Sequence, residues 1–456
     1  MKGNLNNSQI EYLFFHLDYI FNLHDEIKKR IVFIKDFNEI EKYNGRIIFY
    51  LSSKGINLKR IKWIDDIPVL FPASDRNEIF YFRNNNLIFS DDILKSAFYL
   101  LSGYQEYNSK ERDSYGRFPY EESIQSKLNI IIRPVVNYYF NYIAQGIKLY
   151  CEKTNIKFKE KKLFKTFGFI LTHDIDLIDK YDWYYNGYKI KELLGIVKTD
   201  LPKSKIIKLL IKGLLSNLRL LKNNNPYWNF SFLQEVEEKY GFKATYFFLP
   251  KDIKHIDAYY DLKEERLVRV YNELIKNGHE IGLHGTASSS GSIEKMRRDY
   301  DRISRAVPQK ILGIRQHRLH YMHPYTLTYQ YKTGLSYDNT LSFATHEGFR
   351  NSYCLPFKLY NFEEDEIINI WEFPLNVMDT TLFYYQDYQY DDAIKSVRML
   401  INEIKKMHGI FTLLWHNSFF DEIVYPGITK FFLKLLETIK NEDPVNILNR
   451  DLLKKL

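Results

Sequence analysis

The sequence predicts an α/β protein in which a (β/α) barrel of parallel strands follows a smaller α/β or α+β domain. Three observations support this prediction. The chain has 456 residues, which is long for one core and favours two domains. From Phe167 onward, short apolar runs alternate with helical patterns, as expected for parallel strands joined by helices. Several runs end in a titratable residue, at the strand end where such barrels carry their chemistry.

The composition indicates a soluble globular protein and argues against nucleic acid as a partner. Hydrophobic residues make up 45% and charged residues 27% of the chain, as in ordinary packed domains. The net charge of +8 comes mainly from scattered lysines. No block of basic and aromatic residues, the usual mark of a nucleic-acid-binding surface, stands out.

Cysteine usage and apolar patterning favour a cytoplasmic location. Cys151 and Cys354 are far apart, so neither a disulfide framework nor a cysteine-based zinc site is indicated. Residues 1–21 interrupt their apolar positions with Asn, Glu, His and Asp and lack the apolar segment of a signal peptide. No run of about 18 apolar residues occurs, so we expect no helix that spans a membrane.

Residues 1–155 are predicted to form the smaller domain. Short apolar runs precede two helical patterns, at 92–107 and 134–149. Its polar residues are scattered and form no catalytic pattern. The Lys/Glu-rich segment 152–162 suits a linker, which places the barrel domain at 163–456.

The barrel is predicted from its alternating elements, which indicate six to eight parallel strands. The apolar runs read as strands lie at 168–172, 244–249, 280–283, 311–314, 367–371 and 409–415. The helical patterns lie at 232–240, 264–277, 292–306, 392–407 and 428–440. A helical insertion is expected at about 181–226, after the first strand.

Four of the six runs are followed by residues that can bind metal, move protons or hold an anion, namely Asp174 and Asp176, His284, Arg315 and His416. The period of two along a strand places Asp174 and Asp176 on one face. Two adjacent carboxylates need a cation or a raised pKa, and a metal would make one a ligand and the other a general base. Each residue alone also suits a structural role, such as a turn carboxylate or a salt bridge. Their convergence on one barrel face indicates a site.

A histidine beside a carboxylate favours Zn²⁺, Co²⁺, Ni²⁺ or Mn²⁺ over Ca²⁺. A catalytic site of this kind normally has three protein ligands and one open position. The sequence supplies two, His284 and one of the two aspartates.

The order of five motifs resembles that of the polysaccharide deacetylases, the carbohydrate esterase family 4 type of barrel. The motifs are Thr172-His-Asp-Ile-Asp176, Ala244-Thr-Tyr-Phe-Phe248, Gly278-His-Glu-Ile-Gly-Leu-His284, Gly313-Ile-Arg-Gln-His317 and Leu414-Trp-His416. The likeness covers roughly 167–456 and implies a distorted, seven-stranded barrel. The N-terminal part is similar to an accessory domain that precedes such barrels in bacterial proteins. That likeness rests on Ser96-Ala-Phe-Tyr-Leu-Leu-Ser102, Gln105-Glu-Tyr107 and Asp113-Ser-Tyr-Gly-Arg-Phe118.

The resemblance implies a role for each residue of the pattern. Asp174 would be the general base, oriented and charged by Arg315, and His416 the general acid. Asp176 and His284 would bind a divalent transition metal, with zinc favoured. The implied activity is metal-dependent removal of an N-acetyl or other N-acyl group from an amino sugar. The expected substrate is a carbohydrate, such as a precursor of a cell-surface polysaccharide or glycoconjugate.

One departure from the family pattern leaves the metal site open. The family has a second histidine four residues after the first, and here that position is Ser288. A serine hydroxyl is a poor zinc ligand, so the third ligand is Ser288 or His317 in this interpretation, with His320, His173 or water as further alternatives. A catalytically silent, sugar-binding barrel is the alternative that Ser288 raises.

The insertion contains a basic helical pattern at 204–221. Lys205, Lys208 and Lys212 share one stripe of that helix, and Ile and Leu residues occupy the others. We expect the apolar face to pack on the protein while the lysines face water. A membrane surface is the other interpretation, and it would suit deformylation of a lipid-linked amino sugar. The sequence leaves the oligomeric state open.

Overall fold

In a computed structural model, the structure describes residues 1, 3–181, 183–199, 201–218, 225–251 and 260–456. The N-terminal region, residues 1–155, begins with helices and continues with short strands. In chain order its elements are α1 (Asn7–Leu17), α2 (Asp25–Lys28), β1 (Ile31–Ile34), β2 (Ile47–Tyr50), β3 (Lys62–Ile64), β4 (Ile67–Val69), β5 (Tyr81–Arg83), β6 (Asn86–Phe89), α3 (Ile93–Leu101), α4 (Tyr104–Asn108), α5 (Ile124–Lys127) and α6 (Val135–Thr154).

The N-terminal region is a mixed sheet covered by helices, as predicted. Its strands run in the order β1-β2-β6-β5, with β5 antiparallel to β6 and the other pairs parallel. Phe49 and Phe89 stack with their ring centroids 4.5 Å apart on the face that is packed in the core. The helices α3 and α6 contact each other and contribute to the same core. The boundary between this region and the barrel stays a prediction.

The remainder of the chain alternates strands and helices. Its elements are β7 (Gly168–Ile175), α7 (Trp183–Leu193), α8 (Lys203–Asn217), α9 (Phe230–Tyr240), β8 (Ala244–Phe248), α10 (Glu265–Lys276), β9 (Glu280–Gly285), α11 (Ile293–Ser304), β10 (Gly313–Gln316), α12 (Tyr325–Thr333), β11 (Tyr337–Asp338), β12 (Tyr360–Asn361), β13 (Glu366–Ile367), β14 (Trp371–Glu372), β15 (Val377–Met378), α13 (Tyr390–Lys406), β16 (Ile410–Leu414), α14 (Ile428–Lys440), β17 (Val445–Asn446) and α15 (Asn449–Leu453).

The barrel strands form one curled parallel sheet. Their order is β14-β11-β10-β9-β8-β7-β16-β15, and every pair along it is parallel. The short β17 also pairs with β7, at its beginning. The end strands β14 and β15 are joined directly by residues 373–376, so the chain itself brings the two edges of the sheet together. The parallel (β/α) barrel type is as predicted, but this order contains eight strands among the described residues, where the resemblance implied seven.

Most predicted elements are found within a few residues of their expected ends, and α14 (Ile428–Lys440) coincides with its prediction. One predicted strand, 367–371, is wrong. Its first residue belongs to β13, which pairs antiparallel with β12, and the barrel strand β14 begins only at Trp371. A tight turn at Asp365, whose φ is +53°, reverses the chain between β12 and β13. The chain then bends at residues 369 and 370 before it enters β14, so the predicted run spans two elements.

The helix α8 has two apolar faces rather than one. Ile206, Leu209 and Leu210 are buried, as expected for a face that packs on the protein. A second set remains exposed, namely Ile207, Ile211, Leu214 and Leu218. Residues 219–221 of the predicted basic helix lie outside the described residues. Within the described part of the chain, no helix combines the length and apolar character needed to cross a bilayer.

The N-terminal region and the barrel share one buried core. The guanidinium of Arg350 forms a buried ion pair with the Glu106 carboxylate of α4. Gln125 Nε2 donates to the Arg350 carbonyl at 2.6 Å. The rings of Tyr12 and Tyr360 meet edge to face, with centroids 5.5 Å apart. These buried polar and aromatic contacts fix how the N-terminal region lies against the barrel.

Close packing inside the barrel predicts the effect of one substitution. Gly313 lies in β10, and a Cβ atom there would overlap the ring of Tyr337 on the neighbouring β11. That ring cannot turn away freely, because it is buried and its hydroxyl donates to Glu280 Oε1 at 2.9 Å. Gly313→Ala should therefore lower the free energy of unfolding by about 1–3 kcal/mol.

The matched control is Gly187→Ala in α7, where nothing lies within 4 Å of an added Cβ atom. This change should stabilise the protein by about 0.5–1 kcal/mol, because alanine is the better helix residue. Thermal unfolding followed by circular dichroism measures both. Equal unfolding midpoints for the two variants would contradict the proposed overlap.

Candidate active site

The carboxylate of Asp174 is held by a buried arginine at the carboxyl end of β7. Arg315 Nη1 donates to Asp174 Oδ1 at 2.8 Å and to Thr172 Oγ1 at 2.9 Å. The same guanidinium donates to the carbonyl and the side-chain oxygen of Asn339, each at 2.9 Å. Every contact of Arg315 is made inside the barrel, where its side chain is fully buried. The arginine thus neutralises Asp174 and fixes its orientation.

Asp176 and His284 face each other with unpaired buried atoms. His284 Nδ1 donates to the carbonyl of Arg315 at 2.8 Å, which leaves Nε2 as the acceptor of a neutral ring. That Nε2 lies 3.2 Å from Asp176 Oδ1 and 3.5 Å from Asp174 Oδ2. Both His284 Nε2 and Asp176 Oδ1 are buried without a hydrogen-bond partner in the described part of the chain. Two buried acceptors at this distance are unfavourable unless a proton on His284 or a bound cation lies between them.

His317 completes a group of three potential metal ligands. Its Nε2 lies 3.8 Å from Asp176 Oδ2. One ligand atom each from Asp176, His284 and His317 lie within 4.8 Å of one another. The Ser288 hydroxyl instead lies 3.5 Å from Thr286 Oγ1 and does not line the cavity beside the three residues. Of the two candidates for the third ligand, the structure brings His317 to the site and leaves Ser288 outside it.

The other two histidines considered as ligands point elsewhere. His173 lies on the opposite face of β7, as the period of two predicts. Its Nδ1 and Nε2 lie 2.8 Å from the Trp415 carbonyl and from Glu237 Oε1. His320 Nδ1 lies 2.5 Å from Ser290 Oγ, and this ring does not line the cavity. Neither histidine is in a position to bind a metal at Asp176.

His416 is held by an aspartate that the sequence did not reveal. Asp379 follows β15, and its two carboxylate oxygens accept from His416 Nδ1 at 2.7 Å and from the His416 backbone N–H at 2.6 Å. His416 Nε2 lies 3.8 Å from Asp176 Oδ2, so it faces the site. A carboxylate at the end of an apolar strand is the signal that could have found Asp379, but β15 has only two residues.

Electrostatics at the site reflect the crowding of acids and histidines. Burial lowers the pKa of His416, but the Asp379 charge and hydrogen bond, helped by Asp176 and Asp174, outweigh it and raise the pKa from 6.5 to about 10. For His284, burial is likewise outweighed by the two site aspartates, and the net pKa shift is upward. Burial raises the pKa of Asp176, yet the charges of the neighbouring imidazoles hold it well below its usual value. The site therefore stabilises positive charge beside Asp176.

The donor set fits a divalent transition metal. Two imidazole nitrogens and one carboxylate oxygen suit zinc and its neighbours in the first transition row. Three protein ligands leave one position open, as in catalytic sites. The carbonyl that accepts from His284 Nδ1 fixes the ring orientation, which is the usual support for a metal-binding histidine.

The site opens into a cavity of about 370 Å³. Its walls come from both parts of the chain. They comprise Tyr115 and Arg117 of the N-terminal region, the residues Asp174, Asp176, His284, His317 and His416, and Arg318, Leu319, Ala344, Met378, Thr380, Tyr384 and Tyr385. The barrel thus positions the reactive groups, and the N-terminal region contributes to the cavity that surrounds them.

The pairing of His416 with Asp379 predicts a pKa change that NMR can follow. In Asp379→Asn the imidazole loses its main counter-charge, so the pKa of His416 should fall from about 10 towards its usual 6.5. A histidine whose pKa is raised on folding adds stability below its unfolded pKa and loses it as pH rises through the folded pKa. The wild-type protein should therefore lose stability between about pH 7 and pH 10, and the variant should lose less.

The control is Asp387→Asn, an exposed aspartate beyond the site. It should leave both the His416 titration and the pH dependence of unfolding unchanged. A His416 resonance that titrates near pH 6.5 in the wild-type protein as well would show that Asp379 does not hold the charge.

Comparisons with known proteins bear on the two parts of the chain separately. Residues 5–151 match the model of a family described as Family of unknown function (DUF7033). No curated protein matches the sequence.

Solved structures that the chain resembles are barrels of the polysaccharide deacetylase type. A protein assigned as a polysaccharide deacetylase from Mycobacterium smegmatis aligns at 16% identity and a TM-score of 0.41, over 64% of this chain and 90% of that one. A CE4 family pseudoenzyme from Bacillus anthracis aligns at 11% identity and a TM-score of 0.31, over 63% and 66%. The catalytic domain of a peptidoglycan N-acetylglucosamine deacetylase from Eubacterium rectale aligns at 10% identity and a TM-score of 0.30, over 62% and 88%. At these values the likeness concerns the fold alone.

Proposed function

We propose that this protein is a metal-dependent hydrolase that removes an N-acetyl or other N-acyl group from an amino sugar. One observation carries the proposal. A carboxylate neutralised by Arg315 and an imidazole charged by Asp379 lie beside the Asp176, His284 and His317 group. A base and an acid next to one metal site are the groups that amide hydrolysis requires.

Asp174 is the general base in this proposal. Its Oδ1 is bound by Arg315, so Oδ2 is the oxygen left to accept the proton of the attacking water. A divalent metal bound by Asp176, His284 and His317 would lower the pKa of a water molecule and polarise the acyl carbonyl. Arg315 keeps Asp174 in one orientation towards that position, because its guanidinium also donates three hydrogen bonds, to Thr172 Oγ1 and to the carbonyl and side-chain oxygens of Asn339.

His416 is the general acid. Asp379 accepts from His416 Nδ1, so the second proton of the charged ring lies on Nε2, which faces the site. The raised pKa of His416 keeps that nitrogen protonated at neutral pH. It can then protonate the departing amine when the carbon–nitrogen bond breaks, which an amine needs in order to leave.

The position of His317 bears on the alternative of a silent, sugar-binding barrel. That alternative arose because Ser288 replaces an expected ligand. His317, directly after β10, offers a third ligand atom, which supports the hydrolase over this alternative. Deformylation of a lipid-linked amino sugar uses the same groups and differs only in the acyl group and the carrier.

Replacing the base tests the proposed reaction. Asp174→Asn should lower the rate of acetate release from N-acetylated oligosaccharides by about 10²–10⁴-fold, because general base catalysis contributes that much. Metal content, measured by mass spectrometry of the purified protein, should be retained. Asp387→Asn is the matched control and should keep wild-type activity. A wild-type protein with neither bound metal nor acyl release from amino sugars would overturn the proposal.

Replacing the third ligand tests the proposed metal site. His317→Ala should weaken zinc binding by more than about 10-fold, since even groups that only support a ligand contribute 10- to 100-fold. Ser288→Ala should leave zinc affinity unchanged, because the Ser288 hydroxyl lies outside the ligand group. Competition with a chromophoric chelator measures both affinities. The reverse order of effects would assign the third ligand to Ser288.

A further inference from the structure

A loop of the N-terminal region enters the mouth of the catalytic cavity. Residues 113–117 form a tight turn in which Asp113 Oδ1 accepts from the backbone N–H groups of Tyr115 and Arg117, each at 2.9 Å. Gly116, at the tip, has a φ of +80°, and a Cβ atom there would lie 2.9 Å from His320 Nε2. Glycine is therefore required for both its conformation and its close approach to the barrel. This close fit presents Tyr115 and Arg117 to the cavity.

The loop also supports the turn that follows His317. Arg318 and Leu319 have left-handed backbone conformations, with φ of +61° and +54°. Non-glycine residues in this conformation are strained and persist where surrounding contacts hold them. Arg117 Nη1 donates to the Arg318 carbonyl at 3.1 Å, while Arg117 Nε donates to Asp113 Oδ2 at 2.8 Å. The N-terminal region thus contributes a direct contact to the turn that carries both His317 and Arg318.

The charges that line the cavity leave one arginine unbalanced. Arg315 is paired with Asp174, and Arg117 with Asp113. The exposed guanidinium of Arg318 lies 5.3 Å from the centre of the Tyr115 ring and has no carboxylate partner within the described part of the chain. Arg117 lies 4.8 Å from the same ring. A positive charge without a counter-ion at the mouth of a cavity favours an anionic ligand.

An exposed aromatic ring accompanies this charge. Tyr115 is 46% exposed although it lines the cavity. The exposed part of this ring offers apolar area to the C–H face of a sugar, and ordering a tyrosine side chain costs little conformational entropy. The mouth therefore combines a stacking surface and a guanidinium, which together fit a sugar that carries a negative charge.

We propose that Tyr115 and Arg318 form a subsite for an amino-sugar substrate bearing a phosphate or carboxylate group, and that Arg117 is the positioning residue of this subsite. This inference rests on the proposed function, because it names the substrate class for the same cavity. Tyr115 stacks against a sugar ring, and Arg318 binds the anion. Arg117 acts through Arg318, by holding the turn.

Binding measurements test the subsite separately from the reaction. The full chain carrying Asp174→Asn, with zinc present, is titrated calorimetrically with N-acetylglucosamine, N-acetylglucosamine 1-phosphate and an N-acetylhexosaminuronic acid. At least one anionic sugar should bind about 10-fold more tightly than the neutral one, since a hydrogen bond to a charged group contributes that much. The tighter of the two identifies phosphate or carboxylate as the recognised group.

Two pairs of variants assign the preference to residues. Arg318→Gln should abolish the preference for the anionic sugar, whereas Arg112→Gln, an exposed arginine whose contacts are to nearby carbonyls, should retain it. Tyr115→Ala should weaken binding of all three sugars. Tyr331→Ala, on a ring that is also 46% exposed, should weaken none. Thermal unfolding confirms that each variant is folded at the temperature of the titration, and the neutral sugar serves as the internal reference for each.

Arg117→Gln separates a positioning role from a general structural one. It should reduce affinity for the anionic sugar alone, and combining it with Arg318→Gln should cause no further loss, because both act on one contact. Equal loss for neutral and anionic sugars would overturn the role of Arg117. Equal affinities of the three sugars for the protein that carries Asp174→Asn alone would overturn the subsite.

The outcomes distinguish this inference from the proposed reaction. An anion preference without acyl release by the wild-type protein would sustain the subsite and overturn the hydrolase. Acyl release without an anion preference would sustain the hydrolase and overturn the subsite.

Discussion

The buried guanidinium of Arg315 is the interaction on which the site depends. A charged group without water is unfavourable unless it is paired and hydrogen-bonded, and Arg315 satisfies this with Asp174, Thr172 and Asn339. Asp174 and Thr172 lie on β7, and Asn339 directly follows β11. In the order of the sheet, β10 lies between these two strands. The carbonyl of the same residue accepts from His284 on β9. Arg315 therefore sets the orientation of Asp174, the proposed base, and of His284, a proposed metal ligand, and any shift of β10 would move both.

The second constraint is the excess of acceptors around Asp176. His284 Nε2 and Asp176 Oδ1 are buried and face each other at 3.2 Å. A proton on His284 would relieve the conflict, and the upward pKa shift of this histidine expresses that demand. A divalent cation would relieve it more completely, because Asp176, His284 and His317 could all bind it. In the proposed metal site the third ligand atom would come from His317, directly after β10, and not from the loop that contains Ser288.

The sequence allowed the barrel, its helices and five of the site residues to be predicted, since strand ends and period-two faces are local patterns. Asp379 was missed because the strand before it, β15 (Val377–Met378), has only two residues. Such a strand is too short to show the alternation of apolar and polar residues. The choice between His317 and Ser288 depended on a turn with left-handed residues at 318 and 319, and no local pattern indicates such a turn. The apolar run at 367–371 misled because the chain leaves β13 after Ile367, bends at residues 369 and 370, and enters the barrel sheet only at Trp371.

The contribution of the N-terminal region to the site was the least accessible from sequence, because it depends on contacts between residues about 200 positions apart. The strained turn at Arg318 and Leu319 is disfavoured by about 1–3 kcal/mol for each such residue, so contacts elsewhere must compensate. Arg117 provides one of them, and the buried pair of Glu106 with Arg350 keeps the region that carries Arg117 in place. The matched N-terminal model ends at residue 151, before the barrel begins. A segment that is recognisable by itself thus takes part in shaping the cavity whose proposed catalytic groups all belong to the barrel.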